Sequence, residues 1–563
     1  MAAAGEPADQ AGIFFESSLA AMKAYFCWST EKDEASSSPY RLEKTFTLKT
    51  EPHEKSIATR QGGIMKPVSY TKIYILSLLP LFFLWLSVGA AAEMADDQIV
   101  VAVENQILQD PGTTLNTIDV TATSGIVTLS GMVDNILAKE RAVTVAQTVR
   151  GVRSVVDKIS VNPPLRQDPE IASDIEQALI YDPLSESWNI SASVENGHVT
   201  LTGAVDSWAA REAVGKIAKG VRGVISLENS LAITYNIDRK DVEMEEEIER
   251  RLHWDALVDN SLIEVEVKND QAFLTGTVGS AAERVQAHRD SWVAGITAVN
   301  STGLEVDWQT RDPEQRKKKN LVRDDAEIQR AVEDAFLYDP RINRFEITVM
   351  VKDGWVTLKG TVDNLLAKRS AARDARNSVG VWHVKNLIKV RPSGPGDRLI
   401  ADSVRNAFFM DPYVEGFAID VSVDGGEVYL SGTVDTYYQK AQADYIAAGV
   451  AGVSKVRNRL QVTESKIMTY SPYVDPWYTY DYDWYIYPDY IPVKTDVTIR
   501  AEIEEEIFWS PFVDGGDITV TVDDGIATLT GNVDSYFEYN SAVENALEGG
   551  AVGVDNELVV NGE

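Results

Sequence analysis

Cysteine is almost absent. Cys27 is the single one in 563 residues, which excludes a disulfide framework and any metal or iron–sulfur site built from several thiolates. Histidine is nearly as scarce: five copies, of which His198, His253, His288 and His383 fall at different points of the pattern described below, so no repeated imidazole site is expected. Cations are outnumbered, 53 Lys and Arg against 86 Asp and Glu, for a net charge of −33. Nucleic-acid binding draws most of its affinity from cations on phosphates and is therefore disfavoured. The chain has no G-x-S-x-G elbow, no phosphate-binding G-x-x-x-x-G-K-[ST] loop and no EF-hand spacing. No enzymatic activity, cofactor, metal or small-molecule substrate is expected. What remains, 44% hydrophobic and 25% charged residues, is the composition of a globular protein.

Long apolar runs are confined to one place. In Met65 to Ala92, Lys66 and Lys72 precede an apolar stretch, Ile73 to Val88, and a small-residue exit, Ala90-Ala91-Ala92. This is the order of a secretory signal peptide, with cleavage expected before Glu93. A retained inner-membrane anchor over 73–92 is the alternative, and both place the remainder outside the cytoplasm, in the periplasm. Residues 1–64 show no periodic apolar pattern, and Met65 is the expected start, with 1–64 an upstream segment that is not native or not ordered.

Beyond the signal, one pattern is written six times. GIVTLSGMVD begins at Gly125, GHVTLTGAVD at Gly197, QAFLTGTVG at Gln271, GWVTLKGTVD at Gly354, GEVYLSGTVD at Gly426 and GIATLTGNVD at Gly525. Its central glycines are Gly131, Gly203, Gly276, Gly360, Gly432 and Gly531. Each lies 21 residues after Asp110, Asp182, Asp255, Asp339, Asp411 or Ser510, usually followed by proline. A second glycine, such as Gly151 or Gly223, follows after 19 or 20 residues. Such register marks a tandem array.

Each copy reads as a small fold. Apolar residues at three-to-four spacing, such as Ile171, Ile175 and Leu179, give a first helix that the Asp-Pro pair stops. Alternating strands flank turns such as Asn196-Gly197 and Asp353-Gly354. A second, amphipathic helix follows, expected to be capped by Asp134, Asp206, Asp363, Asp435 and Asp534. It is expected to be shortened in the sixth copy. A third strand such as Val384 to Val390 closes an α-β-β-α-β unit of class α+β.

The nGxVxLxGxVd segment, a helix, and GVxxVxNxL (Gly223-Val224 to Leu231, Gly380-Val381 to Leu387, Gly452-Val453 to Leu460) together resemble the BON domain. The resemblance implies two helices packed on a three-stranded mixed sheet. It also implies a non-catalytic envelope module of osmotic-stress or nodulation-associated proteins, with phospholipid binding or periplasmic chaperoning as its activity. The expected units span 94–163, 168–235, 240–308, 323–391, 397–463 and 495–562. A charged linker, 309–322, separates the first three from the last three, and a Tyr/Trp-rich insert, 465–494, precedes the sixth.

Two features exceed what the fold demands. Eight residues after the central glycine stand Lys139, Arg211, Arg284, Lys368 and Lys440, with Tyr539 in the sixth copy. They are candidates for phosphate headgroups, weighed against solvated helix faces that pair with acids. In the insert, Tyr478, Tyr480, Tyr482 and Trp484 alternate with polar residues and would form one aromatic face, for packing between units or for binding. The expected partners are a phospholipid surface or envelope proteins, engaged multivalently; a soluble chaperone and a structural spacer are the alternatives. Whether the units pack or swing freely is open.

Overall fold

The computed structural model describes residues 94–113, 117–184, 189–235, 239–308, 323–391, 394–463, 471–474, 494–510 and 512–561. The signal segment, residues 1–64, linker 309–322 and Tyr478, Tyr480, Tyr482 and Trp484 lie outside these. No helix among the described residues is long and apolar enough to cross a membrane.

The first module shows how each is built. Its first helix, Asp96–Gln109, buries Ile99, Val103 and Ile107, one aliphatic stripe at four-residue spacing. Burying each such side chain is worth about 1.5–3 kcal/mol. The strands Thr117–Thr123 and Ile126–Val133 pair antiparallel. The second helix, Ile136–Thr148, then returns the chain so that Ser154–Val161 pairs parallel with Ile126–Val133, which occupies the middle of the sheet. The first helices of the other modules are Asp168–Tyr181, Asp241–Trp254, Asp325–Tyr338, Asp397–Met410 and Asp496–Trp509. Their second helices are Trp208–Lys219, Ala281–Asp290, Leu365–Arg376, Tyr437–Gly449 and Tyr536–Glu548. The sixth is thus full length and the third, with ten residues, is the short one, contrary to the sequence expectation. Each module has its own mixed sheet; in the fourth the third strand is interrupted, His383–Asn386 and Lys389–Val390, rather than continuous to Val390.

The central glycine is dictated by strand approach. At Gly131 φ is +127°, and a Cβ there would stand 2.2 Å from the carbonyl oxygen of Thr117 on the paired strand. No side chain fits that gap.

Two recurrent carboxylates do work that spacing did not reveal. The Asp that opens each first helix accepts hydrogen bonds from both backbone N–H groups at the tip of the hairpin. In the first module Asp96 takes Ser124 and Gly125 at 2.8 and 2.9 Å; Asp168, Asp241, Asp325, Asp397 and Asp496 do the same. The Asp after the first helix in modules one to five accepts from the N–H two residues on, as Asp110 does from Gly112 at 2.9 Å and Asp411 from Tyr413 at 2.8 Å; Ser510 does the same from Phe512 in the sixth. Asp255 makes the same turn, to Leu257 at 2.7 Å, without a following proline. The side chain therefore ends the helix, and proline only assists.

The capping assignment is corrected by one position. The second helices are capped by Asn135, Ser207, Ser280, Asn364, Thr436 and Ser535, whose side chains accept from the N–H three residues on. Asp134, Asp206, Asp363, Asp435 and Asp534 stand one residue too early to reach that N–H. Asp134 and Asp363 instead accept from the amides of Asn135 and Asn364.

The six cores are separate clusters, yet residues 89–563 form one compact unit. Modules two and five meet through a joint of two-fold register. The N–H of Arg222 donates to the Met410 carbonyl at 2.7 Å, and that of Ala451 donates to the Tyr181 carbonyl at 3.2 Å. Arg222 and Ala451 each precede the second glycine; Tyr181 and Met410 each precede the helix-ending Asp. Modules three and four repeat half of this, with Val379 donating to the Trp254 carbonyl at 2.9 Å.

Candidate functional site

The five registered bases lie on the second helices, and two of them reach their own sheet. Lys139 donates to the Ile159 carbonyl at 2.8 Å and pairs with Asp157 at 3.1 Å; Arg211 donates to the Asn229 carbonyl at 2.7 Å. In the opposite direction, the amides of Asn229, Asn386 and Asn458 donate to the backbone carbonyls of Arg211, Lys368 and Lys440. Tyr539 fills the position in the sixth module, and its hydroxyl donates to the Asn556 carbonyl at 3.2 Å. A tyrosine can stand where five bases stand because the position ties the second helix to the third strand. Lys440 is buried, and burial pushes the Arg284 guanidinium pKa down. The structure does not bring the five together in one site.

The described part of the aromatic insert is a strut. Tyr473 is buried, donates its hydroxyl to the Leu257 carbonyl of module three and stacks on Phe512 of module six with ring centres 4.9 Å apart. Val474 packs on the core of module one.

Where the modules converge there is a cavity of about 920 Å³, lined by modules one to five and by Pro472, Tyr473 and Val474. The second helices give the largest share of its walls, and this explains their composition. The second helix of module five buries Tyr438, Lys440, Gln442 and Asp444 as well as its alanines, because it packs on its sheet and on its neighbours at once. Charges follow it inside. Arg341 of module four bridges both oxygens of Asp182 in module two, at 3.1 and 3.2 Å. Burial works against the charge of Arg341, but Asp182 and Asp339 outweigh it and hold the pKa up. Beside them, Arg373 pairs with Asp339 at 2.5 Å and with Asp374 at 2.8 Å. Burial pushes the Asp374 carboxyl up to about 8 in spite of Arg373, and pushes Asp411 to about 6. Trp208 and Trp292, from modules two and three, stack with centres 5.5 Å apart and both line the cavity. Among the described residues no group of three or more His, Cys, Asp or Glu side chains is placed to hold a metal ion.

One repeated surface feature escaped sequence reading. Two residues before the helix-ending Asp or Ser, five modules expose a large apolar side chain: Leu108 (61% exposed), Ile180 (69%), Leu337 (64%), Phe409 (56%) and Phe508 (45%). The register was present in the sequence, but an apolar residue near a helix end reads as core until the helix orientation is known.

Six α-β-β-α-β modules, each with a mixed sheet under two helices, define a tandem α+β repeat protein. The chain belongs to the BON domain family, which it matches over residues 95–163, 167–235, 240–307, 324–392, 396–464 and 495–562. It is 33% identical over 153 residues to the osmotically-inducible protein Y of Escherichia coli (strain K12), covering 26% of this chain and 76% of that protein. It is 30% identical over 165 residues to the outer membrane lipoprotein DolP of Haemophilus influenzae, covering 28% of this chain and 77% of that one. Among solved structures, the C-terminal domain of CdsD, a type III secretion structural protein of Chlamydia trachomatis, matches at 17% identity over 38% of this chain and all of that one, with a TM-score of 0.11.

Proposed function

We propose that this chain is an exported, non-catalytic envelope protein that associates with phospholipid surfaces under osmotic or envelope stress. The names of its two relatives, an osmotically inducible protein and an outer membrane lipoprotein, support that compartment and role. The signal-like segment 65–92 supports export. One observation carries the binding mode. The recurrent polar side chains are engaged inside the modules, whereas the recurrent apolar position at the end of the first helix is left on the surface. Several shallow apolar contacts held by one body add up through effective concentration. With a net charge of −33, zwitterionic lipid or locally basic surface is the better target.

Co-sedimentation with phosphatidylethanolamine/phosphatidylglycerol vesicles tests this. The variant Leu108→Ser/Ile180→Ser/Leu337→Ser should lose binding and stay folded. Neutralising Lys139, Arg211, Arg284, Lys368 and Lys440 should lower stability more than binding. No vesicle binding, together with protection of an unfolded barrel protein, would make the protein a chaperone instead. Neither activity would leave a spacer.

A further inference from the structure

Arg289, on the second helix of module three, lines the cavity between the modules, and its side chain is exposed to solvent there. No side chain among the described residues lies within hydrogen-bonding or ion-pairing distance of its guanidinium. Its acidic surroundings act from farther away: Glu140 of module one, Glu212 of module two and Asp290 of its own helix. Asp290 already receives Arg251 at 3.3 Å and Gln286 at 3.4 Å. Other arginines of the cavity are matched, Arg341 by Asp182 and Arg373 by Asp339 and Asp374. Crowding by its neighbours pulls its pKa down, yet an arginine stays charged, and the guanidinium stays open to the cavity. A guanidinium with its five donors unspent is suited to a carboxylate or phosphate, which it can grip in two places. Beside it, the stacked Trp208–Trp292 pair offers a flat apolar wall, and about 920 Å³ admits an organic molecule.

We infer that the cavity between the modules is a binding site for a small organic anion, with Arg289 as its anchor and Trp208 and Trp292 as its wall. The site exists only in the packed body, because its lining is drawn from separate modules and no single module encloses it. It is independent of the vesicle-binding surface, so Arg289→Gln should leave vesicle co-sedimentation unchanged. Failure of one reading is thereby distinct from failure of the other.

The test is fluorescence titration of the full chain with 1-anilinonaphthalene-8-sulfonate and its uncharged analogue N-phenyl-1-naphthylamine. The anionic probe should bind about tenfold more tightly or better, a preference that Arg289→Lys keeps in part and Arg289→Gln abolishes. Benzoate and phenyl phosphate, added as competitors, distinguish a carboxylate from a phosphate ligand; displacement by either supports the site. The thermal midpoint of Arg289→Gln should equal or exceed that of the parent, since no protein partner of the guanidinium is lost. Arg341→Gln, which strands Asp182, should lower it. Equal affinity for the two probes, a preference that survives Arg289→Gln, displacement by neither competitor, or a midpoint that falls with Arg289→Gln would each overturn the proposal.

Discussion

Inside a module, polar side chains repeat to the residue; at the joints between modules the backbone contacts keep a register while the charged partners change. The Asp that opens each first helix holds the hairpin tip in all six copies, with nearly the same two distances. In modules one to five the Asp that ends the first helix makes its turn just as regularly. In modules one, three and five its carboxylate also takes the side chain 31 residues on, Gln286 for Asp255 in the third, but in module two the partner comes from another module. Asp110 takes Arg141, Asp411 takes Gln442, both on the same module's second helix, and Asp182 takes Arg341 from another module. The joints differ in packing as well. Modules two and five are stitched by two backbone hydrogen bonds and the Arg222–Glu415 ion pair, with the Arg222 guanidinium 4.0 Å from the Phe409 ring centre. Between modules one and six the same register places Arg150 5.0 Å from the Phe508 ring centre, but a small cavity remains there and Glu506 lines it. Burial lifts that carboxyl to about 7. Repetition thus reports what one fold needs, and its breakdown reports where individual modules meet.

The largest effects should come from the repeated interior. Gly131→Ala forces a Cβ against the Thr117 carbonyl at a positive φ and should cost more than about 3 kcal/mol, or unfold the first module, in urea titration followed by circular dichroism. An equal cost at every central glycine would confirm that this need is the module's own.

Next come the joints. Asp182→Ala leaves Arg341 buried without its partner and should cost about 3–5 kcal/mol. Because the pair spans modules two and four, unfolding should broaden or split into two phases. A single unchanged transition would mean the modules do not depend on one another.

Proton linkage sharpens the comparison further. Asp374, Asp411 and Glu506 hold their protons more tightly folded than unfolded, with folded values of about 8, 6 and 7. Their contribution is complete below about pH 4 and is lost as pH rises through those values, so the protein should lose stability between about pH 4 and 8. Asp374→Asn should flatten the upper part of that decline, measured as urea midpoints at pH 5 and pH 8. An unchanged slope would remove Asp374 from the account.

The smallest effect separates neighbours in sequence. Ser207→Ala removes a helix cap and should cost about 1 kcal/mol, whereas Asp206→Ala should cost less than half of that. The reverse order would restore Asp206 as the cap.

Much of the fold was legible because local chemistry leaves periodic marks. Ile171, Ile175 and Leu179 at four-residue spacing are buried as their pattern requires, and Asn196-Gly197 turns the hairpin with positive φ at both residues. The capping position was missed by one residue because Asp and Ser are both good caps, and only the backbone angle decides between Asp206 and Ser207. The bases show a different limit of spacing. Lys139 and Arg211 look like a charged stripe, but a long side chain reaches a carbonyl on its own third strand as readily as it reaches solvent.

By itself, then, the sequence determined the module: helix, hairpin, helix and strand, copied six times behind an export-like segment, because each depends on residues close together in the chain. Only the tertiary structure decided that the copies pack around a cavity, that Asp182 answers to Arg341 across modules and that Arg289 is left unmatched within. Those relations join residues far apart in the chain, and no spacing rule within a module says which other module will meet it.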